Sequence, residues 1–260
     1  WALADVSRVL AGDGIRVDTL RRALAGLTKV VKKKLGQLPL MLEEMQGLLK
    51  LFPGMVLPVE LREESTVFLK LQGKKHIGAI GKMLRKAAQI SEGGPMCQYV
   101  QGLIVSMTRS AADLEAAVDV VDRTIGKGNI RVIPLFERGQ DLDAAVETLD
   151  TVLGNNLEIL ANSVPDDPRR SKMEIMLGYS DTSKRMGAFA SRRRIFHAMH
   201  ELSDVCKKYR LEPVFFHGSG GSVTRGGGSV QEQFAAWPEA ARRIVKLTLQ
   251  GEMVERTFVT

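Results

Sequence analysis

Residues 215–228 have the sequence F-F-H-G-S-G-G-S-V-T-R-G-G-G, in which a short apolar run ends at His217 and a glycine-rich loop follows. Glycine allows a backbone to turn sharply, to approach a ligand closely and to point its N–H groups at an anion. A second unusual segment, M-L-G-Y-S-D-T-S-K-R-M-G, occupies residues 176–187. The arginine of the first segment and the lysine of the second suit a phosphate or a carboxylate. The two segments therefore indicate an enzyme site for a small anion.

Short apolar segments rich in Val, Ile, Leu or Phe alternate along the chain with segments of helical periodicity. Residues Leu142–Leu153 place their leucines on one helical face, and Ser183–Tyr209 form a longer predicted helix. Such alternation indicates a buried parallel sheet. The predicted strands are Met55–Arg62, Gly102–Met107, Ile130–Glu137, Glu174–Tyr179, Pro213–His217 and Ile244–Leu249.

The spacing of these strands favours an α/β fold of the TIM type, a (β/α) barrel with extra helices. A closed barrel needs eight strands, so the six predicted ones make the barrel incomplete in this chain. We assign residues 1–260 to one partial catalytic barrel domain. Residues 1–54 form a mainly helical lead-in, helical over Val17–Leu51, and residues 55–260 supply the barrel strands and helices.

The composition narrows the class of protein. The net charge of +7 and a pI near 9.5 are compatible with nucleic-acid binding, but aromatic residues make up only 5% and no binding motif accompanies the charge. We expect no nucleic-acid partner, and we interpret Lys29–Lys34 as a solvated helix face. No apolar run is long enough for a membrane span. Two cysteines, Cys97 and Cys206, favour a reducing compartment.

Charged side chains and a histidine stand where the predicted strands end. Arg62, Glu137 and His217 end the first, third and fifth strands, and Asp181 and Lys184 follow the fourth. Catalytic residues of barrel enzymes lie at this C-terminal rim. Two carboxylates without thiolates favour Mg²⁺ or Mn²⁺, which can stabilise a developing enolate as a Lewis acid.

Each of these residues also has a structural interpretation. Asp181 could cap the helix that follows it, Glu137 could be a surface carboxylate and His217 a hydrogen-bonded structural histidine. His197 and His200 form an H-x-x-H on the long helix without further ligands, so we interpret them as packing or surface residues. By themselves, the residues predict metal-assisted chemistry on a small phosphorylated or carboxylated anion.

Five segments, in order, resemble phosphoenolpyruvate carboxylases. That family carries G-Y-S-D-S-x-K-D-x-G and F-H-G-R-G-G-S-x-G-R-G-G, and this chain has G-Y-S-D-T-S-K-R-M-G at 178–187 and F-H-G-S-G-G-S-V-T-R-G-G at 216–227. V-E-L-R-E-E-S at 59–65, V-I-P-L-F-E at 132–137 and L-T-L-Q-G-E-M at 247–253 are similar to three further family segments. The resemblance spans most of the chain after residue 58.

The resemblance implies a carboxy-lyase with Mg²⁺ (or Mn²⁺) held by Glu137 and Asp181. Arg62 and Lys184 would bind substrate anions, and His217 and Arg225 would serve the carboxylation half of the reaction, with Gly220 and Gly221 in the substrate-binding loop. Bicarbonate would attack the phosphate of phosphoenolpyruvate, giving carboxyphosphate and a metal-stabilised enolate. Carbon dioxide would then capture the enolate to form oxaloacetate. The family also implies a cytoplasmic homotetramer that binds no membrane.

The chain departs from the family at several positions. Ser219 replaces an arginine beside His217, Arg185 replaces an aspartate after Lys184, and Lys246 replaces an arginine before Q-G-E. These changes indicate a divergent branch. The family's T-A-H-P-T-E segment and its long C-terminal region have no counterpart here, so we expect the 260 residues alone to be inactive.

Two other hypotheses remain. The chain could be an inactive, anion-binding homologue, or a different enolate-forming lyase or aldolase on a barrel scaffold. Retention of all the implied site residues disfavours the first, and the loop at 216–227 disfavours the second.

The metal assignment predicts a distance. The carboxylates of Glu137 and Asp181 should lie on one rim within about 4–6 Å of each other, because Mg²⁺–oxygen bonds are about 2.1 Å long. A crystal structure with bound Mn²⁺ would measure it, and side chains on opposite faces would contradict the metal site.

We also expect residues 218–228 to be among the least ordered without ligand, because glycine increases backbone freedom.

Overall fold

The computed structural model describes residues 17–52, 54–91, 95–155, 172–178, 188–218 and 237–247. The chain divides into two compact units. The first comprises Trp1–Val59 and Lys86–Gln101, and the second comprises Glu60–Arg85 and Gly102–Thr260.

The first unit is built on a pair of helices, α1 (Val17–Leu35) and α2 (Leu40–Leu51). Over the described residues 17–52 the chain forms these two helices, and the predicted helix Val17–Leu51 is interrupted between them. Gly36 has a φ of +75°, which favours glycine, and Pro39 stands at the N-cap of α2. Apolar side chains of both helices pack together as the core of the unit: Leu20, Leu24, Leu27 and Leu42. Lys29 and Lys32–Lys34 are exposed, as a solvated face requires.

The six predicted strands are all present. They are β1 (Val59–Glu64), β2 (Val100–Ser106), β3 (Val132–Phe136), β4 (Lys172–Gly178), β5 (Glu212–Gly218) and β6 (Val245–Leu247). The predicted start of the first strand at Met55 was wrong. Met55 has a φ of +56°, which is incompatible with an extended strand, and pairing begins only where the Val59 N–H donates to the Tyr99 carbonyl.

The helices that follow the strands are α3 (Ser65–Leu71), α4 (Gly78–Ile90), α5 (Ala111–Ile125), α6 (Gly139–Asn155), α7 (Ala188–Lys208) and α8 (Glu239–Arg243). A short 3₁₀ helix, Met96–Gln98, precedes β2. The helix predicted at Leu142–Leu153 lies within α6, and its Leu142, Leu149 and Leu153 are buried. None of the helices in the described part of the chain could cross a membrane, because none is long and apolar enough.

The strands form one sheet in chain order, β1-β2-β3-β4-β5-β6, and the pairs from β2 to β6 are parallel. Helices α5, α6, α7 and α8 contact one another in sequence and pack on β3 or β5. These four helices therefore form one layer on the same face of the sheet. On one of the two faces, side chains from successive strands form an apolar cluster: Ile104, Ile133, Leu135, Met176 and Phe216. β2, β3 and β4 are almost entirely buried, as expected for parallel strands.

Lys246 shows that this sheet is strongly curved. Adjacent strands are about 4.8 Å apart, so β1 and β6 at opposite edges of a flat six-stranded sheet would lie more than about 20 Å apart. The Lys246 Nζ on β6 nevertheless lies 2.5 Å from Glu60 Oε1 on β1. It also lies 2.8 Å from Glu174 Oε2 on β4 and 4.6 Å from the centre of the Phe216 ring. The edges of the sheet therefore approach each other across a concave face.

Buried charges on this concave face are paired. Glu174 is almost fully buried, and the fully buried Arg131 lies beside it with 3.6 Å between Nη1 and Oε1. Removing the cation of a buried ion pair strongly destabilises the folded protein, because the carboxylate is left buried without a counter-charge. The ion pairs of Lys246 therefore have two effects. They hold β6 close to β1 and β4, and they neutralise two carboxylates on the concave face.

We predict that Lys246→Met lowers the free energy of unfolding, because Glu60 and Glu174 then lose the cation between them. The loss should be somewhat below the roughly 3–5 kcal/mol typical of a fully buried pair, since Lys246 is 19% exposed. Urea denaturation measures it. Lys246→Arg, which keeps the charge, is the matched control and should unfold near the wild-type midpoint. Equal stability of all three proteins would contradict the bridge.

Candidate active site

Two of the predicted site residues meet near the carboxyl ends of β1 and β3, although β1 continues to Glu64, two residues beyond its predicted end at Arg62. The Arg62 guanidinium donates to Glu137 Oε1 at 2.9 Å. Arg62 is 50% exposed at its side chain, whereas Glu137 is 15% exposed. A pair so open to solvent contributes little to stability. Its arrangement instead leaves an arginine accessible to an anion beside a carboxylate that is held in place.

A backbone group fixes the same oxygen of Glu137 from β2. The Met107 N–H, in the turn after β2, donates to Glu137 Oε1 at 3.2 Å. Met107 has a φ of +58°, a left-handed conformation that is uncommon for a residue other than glycine. Three consecutive strands thus contribute to the position of one carboxylate.

Gly178 provides the space that Glu137 occupies. The register pairs Leu135 with Met176 and Phe136 with Leu177, so Gly178 at the end of β4 lies level with Glu137. A Cβ on Gly178 would stand 2.9 Å from the Glu137 Cα and 3.3 Å from its Cβ. Any side chain at residue 178 would therefore displace Glu137.

The register also sets the level of the remaining strand ends. Leu177 pairs with His217 and Gly178 with Gly218, so β4 and β5 end level with each other, at the rim of Glu137. Only the backbone of His217 is described. Asp181, Lys184, Arg185, Ser219, Gly220, Gly221 and Arg225 lie outside the described residues. Their roles, the predicted distance from Glu137 to Asp181 and the predicted mobility of residues 218–228 stay predictions.

Glu137 suits one ligand position of a hard divalent cation. Its carboxylate is oriented by two donors, and Mg²⁺ usually takes one or two protein carboxylates and keeps several waters. Within the described ranges, no group of three or more His, Cys, Asp or Glu residues could hold a metal ion. The second carboxylate implied by the family, Asp181, follows Gly178 by three residues in the sequence.

Other polar residues near the strand ends have structural partners. Arg138, next to Glu137, donates to Asp141 from Nε at 3.0 Å and from Nη2 at 2.8 Å, and this hydrogen bonding raises the pKa of Arg138. Asp141 also accepts the Arg138 backbone N–H at the start of α6. Asp113 accepts the Ser110 N–H at the start of α5 in the same way. These carboxylates accept hydrogen bonds that cap the N-terminal ends of α5 and α6, so they are not available to bind a ligand.

Two histidines and a buried cysteine take no part in this rim. His197 and His200 are exposed on α7, and both rings pack edge-on against Phe196, as expected of packing or surface residues. Burial raises the pKa of the Cys206 thiol to about 12, so it carries no thiolate at neutral pH.

The family model described as phosphoenolpyruvate carboxylase matches residues 59–260. The chain belongs to the phosphoenolpyruvate carboxylase family. It is 34% identical over 199 residues to phosphoenolpyruvate carboxylase 3 of Arabidopsis thaliana, covering 73% of this chain and 20% of that protein. It is also 34% identical over 184 residues to the phosphoenolpyruvate carboxylase of a Synechococcus strain, covering 67% of this chain and 17% of that protein.

Among solved structures, RipC from Yersinia pestis matches with a TM-score of 0.38 and 14% identity, covering 76% of this chain and 91% of RipC. That similarity is too low to carry an argument. The chain spans a fifth or less of the length of the carboxylases compared here.

Three residues at this rim were not singled out from the sequence: Ser65, Met107 and Gly178. Ser65 and Gly178 lie within the segments L-R-E-E-S and G-Y-S-D, which resemble the family, and this position is the sequence signal that could have identified them. Met107 has no sequence signal, because a left-handed conformation is not expected of methionine.

We predict that Gly178→Ala displaces Glu137 and weakens divalent metal binding, because the added methyl group would lie in contact with the Glu137 backbone. Isothermal titration with Mn²⁺ should show an affinity about 10–100-fold lower, as for loss of groups that orient metal ligands. Gly26→Ala is the matched control, since no atom lies within 4 Å of its added Cβ, and it should bind Mn²⁺ normally. Normal Mn²⁺ affinity in Gly178→Ala would show that the contact does not position Glu137.

Proposed function

We propose that the protein carrying this chain carboxylates phosphoenolpyruvate with bicarbonate, giving oxaloacetate and phosphate. The observation that carries the proposal is the contact between Arg62 and Glu137, which joins two of the matched family segments at one rim of a parallel sheet. An anion-binding arginine beside an oriented carboxylate is what a metal-dependent reaction on a phosphorylated acid needs.

The scaffold we propose is a TIM-type (β/α) barrel, of which residues 55–260 supply six strands and residues 1–54 a helical lead-in. Three observations support it: the strands are in chain order, helices α5 to α8 form one layer on the same face, and Lys246 reaches from β6 to β1 across the concave face. An open doubly wound sheet would instead have a reversal of strand order and helices on both faces. In a barrel the carboxyl ends of the strands form the active-site rim.

The residues of this chain would divide the chemistry between them. Glu137 and Asp181 would hold Mg²⁺ or Mn²⁺, which supplies Lewis-acid neutralisation of the substrate's negative charge when bound. Arg62 and Lys184 would hold the phosphate and carboxylate of phosphoenolpyruvate. Arg225, Gly220 and Gly221 would close over the substrate and exclude water, which would otherwise protonate the enolate.

The reaction would proceed in two halves. A bicarbonate oxygen attacks phosphorus, the bond from phosphorus to the enol oxygen breaks, and carboxyphosphate and the pyruvate enolate form. Carboxyphosphate releases carbon dioxide and phosphate, and the enolate carbon attacks carbon dioxide to give oxaloacetate. His217 and Arg225 would serve this carboxylation half of the reaction. We further propose a cytoplasmic homotetramer, by family membership.

We predict that Asp181→Asn and Glu137→Gln each abolish oxaloacetate formation by the full-length protein while leaving the fold intact, because each removes a charge from the metal site without changing side-chain size. The assay couples oxaloacetate from phosphoenolpyruvate and bicarbonate to malate dehydrogenase, with Mg²⁺ or Mn²⁺. Asp143→Asn is the matched control: Asp143 is 55% exposed on α6 and pairs with Arg194.

The control should keep wild-type activity. A wild-type protein without activity would favour an inactive, anion-binding homologue. Turnover of a different pyruvate-like substrate, without carboxylation, would favour another enolate-forming lyase. Undiminished activity in either site variant would remove the metal assignment.

A further inference from the structure

The turn after β2 is held by more hydrogen bonds than a connecting turn requires. The Ser65 hydroxyl, fully buried at the start of α3, donates to the Met107 carbonyl at 3.0 Å. The Ser106 hydroxyl donates to the Glu63 carbonyl at 3.2 Å. The Thr108 N–H donates to the Leu135 carbonyl at 3.3 Å, and its hydroxyl donates to the Val105 carbonyl at 2.7 Å. The turn is thus tied to β1, α3 and β3.

Of these bonds, those of Ser65 and Thr108 hold Met107 in a conformation that it would not adopt unaided, whereas the Ser106 bond reaches only Glu63. With a φ of +58°, Met107 lies in the left-handed region, where a side chain crowds the backbone. Such conformations persist only where the surroundings enforce them, and they concentrate at functional sites. The Ser65 hydroxyl fixes the carbonyl side of this residue, and Thr108 anchors the residue that follows.

The left-handed conformation determines where the Met107 N–H points. The Met107 N–H donates to Glu137 Oε1, the oxygen that also accepts from Arg62. Two donors on one oxygen set the plane of the carboxylate. Arg62 is half exposed and would be drawn to a substrate anion, whereas the Met107 N–H belongs to a locked backbone and cannot leave.

We propose that Ser65 and the left-handed Met107 form a positioning device that keeps the Glu137 carboxylate oriented for a divalent cation when Arg62 turns to bind substrate. This inference rests on the proposed function, because it takes Glu137 to be a metal ligand. Groups that orient a metal ligand tune affinity for the metal. Ser65 and Met107 act through Glu137, so they are positioning residues and not catalytic ones.

The test measures Mn²⁺ binding to the full-length protein by electron paramagnetic resonance, without turnover. Ser65→Ala should raise the Mn²⁺ dissociation constant about tenfold. In the assay it should raise the apparent KM for Mn²⁺, while saturating Mn²⁺ restores most of kcat. Ser106→Ala is the matched control: it removes a hydroxyl from the same turn that bonds Glu63 and not Met107, and it should bind Mn²⁺ normally.

A second pair of variants tests the backbone directly. Met107→Val and Met107→Ala both keep the N–H and lose the methionine side chain, but a β-branched residue resists the left-handed conformation far more than alanine. Met107→Val should weaken Mn²⁺ binding and Met107→Ala should not. These variants keep the inference testable if Ser65→Ala fails to fold.

The outcomes separate this inference from the proposed function. If wild type binds Mn²⁺ and Glu137→Gln does not, the metal site stands. Equal affinities for Ser65→Ala and Ser106→Ala, or for the two Met107 variants, would then overturn the positioning device alone. A wild-type protein that does not bind Mn²⁺ would overturn the proposed function, and this inference with it.

Discussion

The bridge from Lys246 to Glu60 and Glu174 is the contact from which the rest of the second unit follows. It joins β6 to β1 and β4 across a concave surface, so it exists only if the sheet is curved. A lysine ammonium between two carboxylates in a partly buried setting satisfies charges that would otherwise destabilise the interior. Lys246 thus supplies a cation where Glu60 and Glu174 meet on the concave face.

The order and direction of the strands explain why residues distant in sequence meet at the rim. Arg62 and Glu137 are 75 residues apart, yet their side chains form a hydrogen bond because the ends of parallel strands converge at one edge. The Arg62 pair is open to solvent and contributes little stability. The backbone around Glu137 is, in contrast, tightly constrained by Gly178 on one side and by the Met107 turn on the other. The site thus combines a positioned carboxylate with a solvent-exposed cation.

Much of the fold could be predicted from the sequence because β2, β3 and β4 are buried on both faces and are therefore rich in apolar residues. Segments rich in apolar residues, such as Ile130–Glu137 and Pro213–His217, indicated the strands, and the helical period of Leu142–Leu153 indicated α6. Boundaries were less certain where backbone conformation, and not hydrophobicity, ends an element. Met55 is apolar and fits a strand pattern, but its positive φ places it in a turn.

The sequence by itself determined the membership of the family, the apolar strands and the charged residues at their ends, because these depend on residue type and order along the chain. Only the tertiary structure decided which atoms meet. No pattern of residues predicts that Lys246 reaches Glu60, that Gly178 must lack a side chain beside Glu137, or that Met107 is left-handed. The first depends on the curvature of the sheet, the second on the register of its strands and the third on hydrogen bonds from neighbouring elements, and all of these arise from packing among segments far apart in the chain.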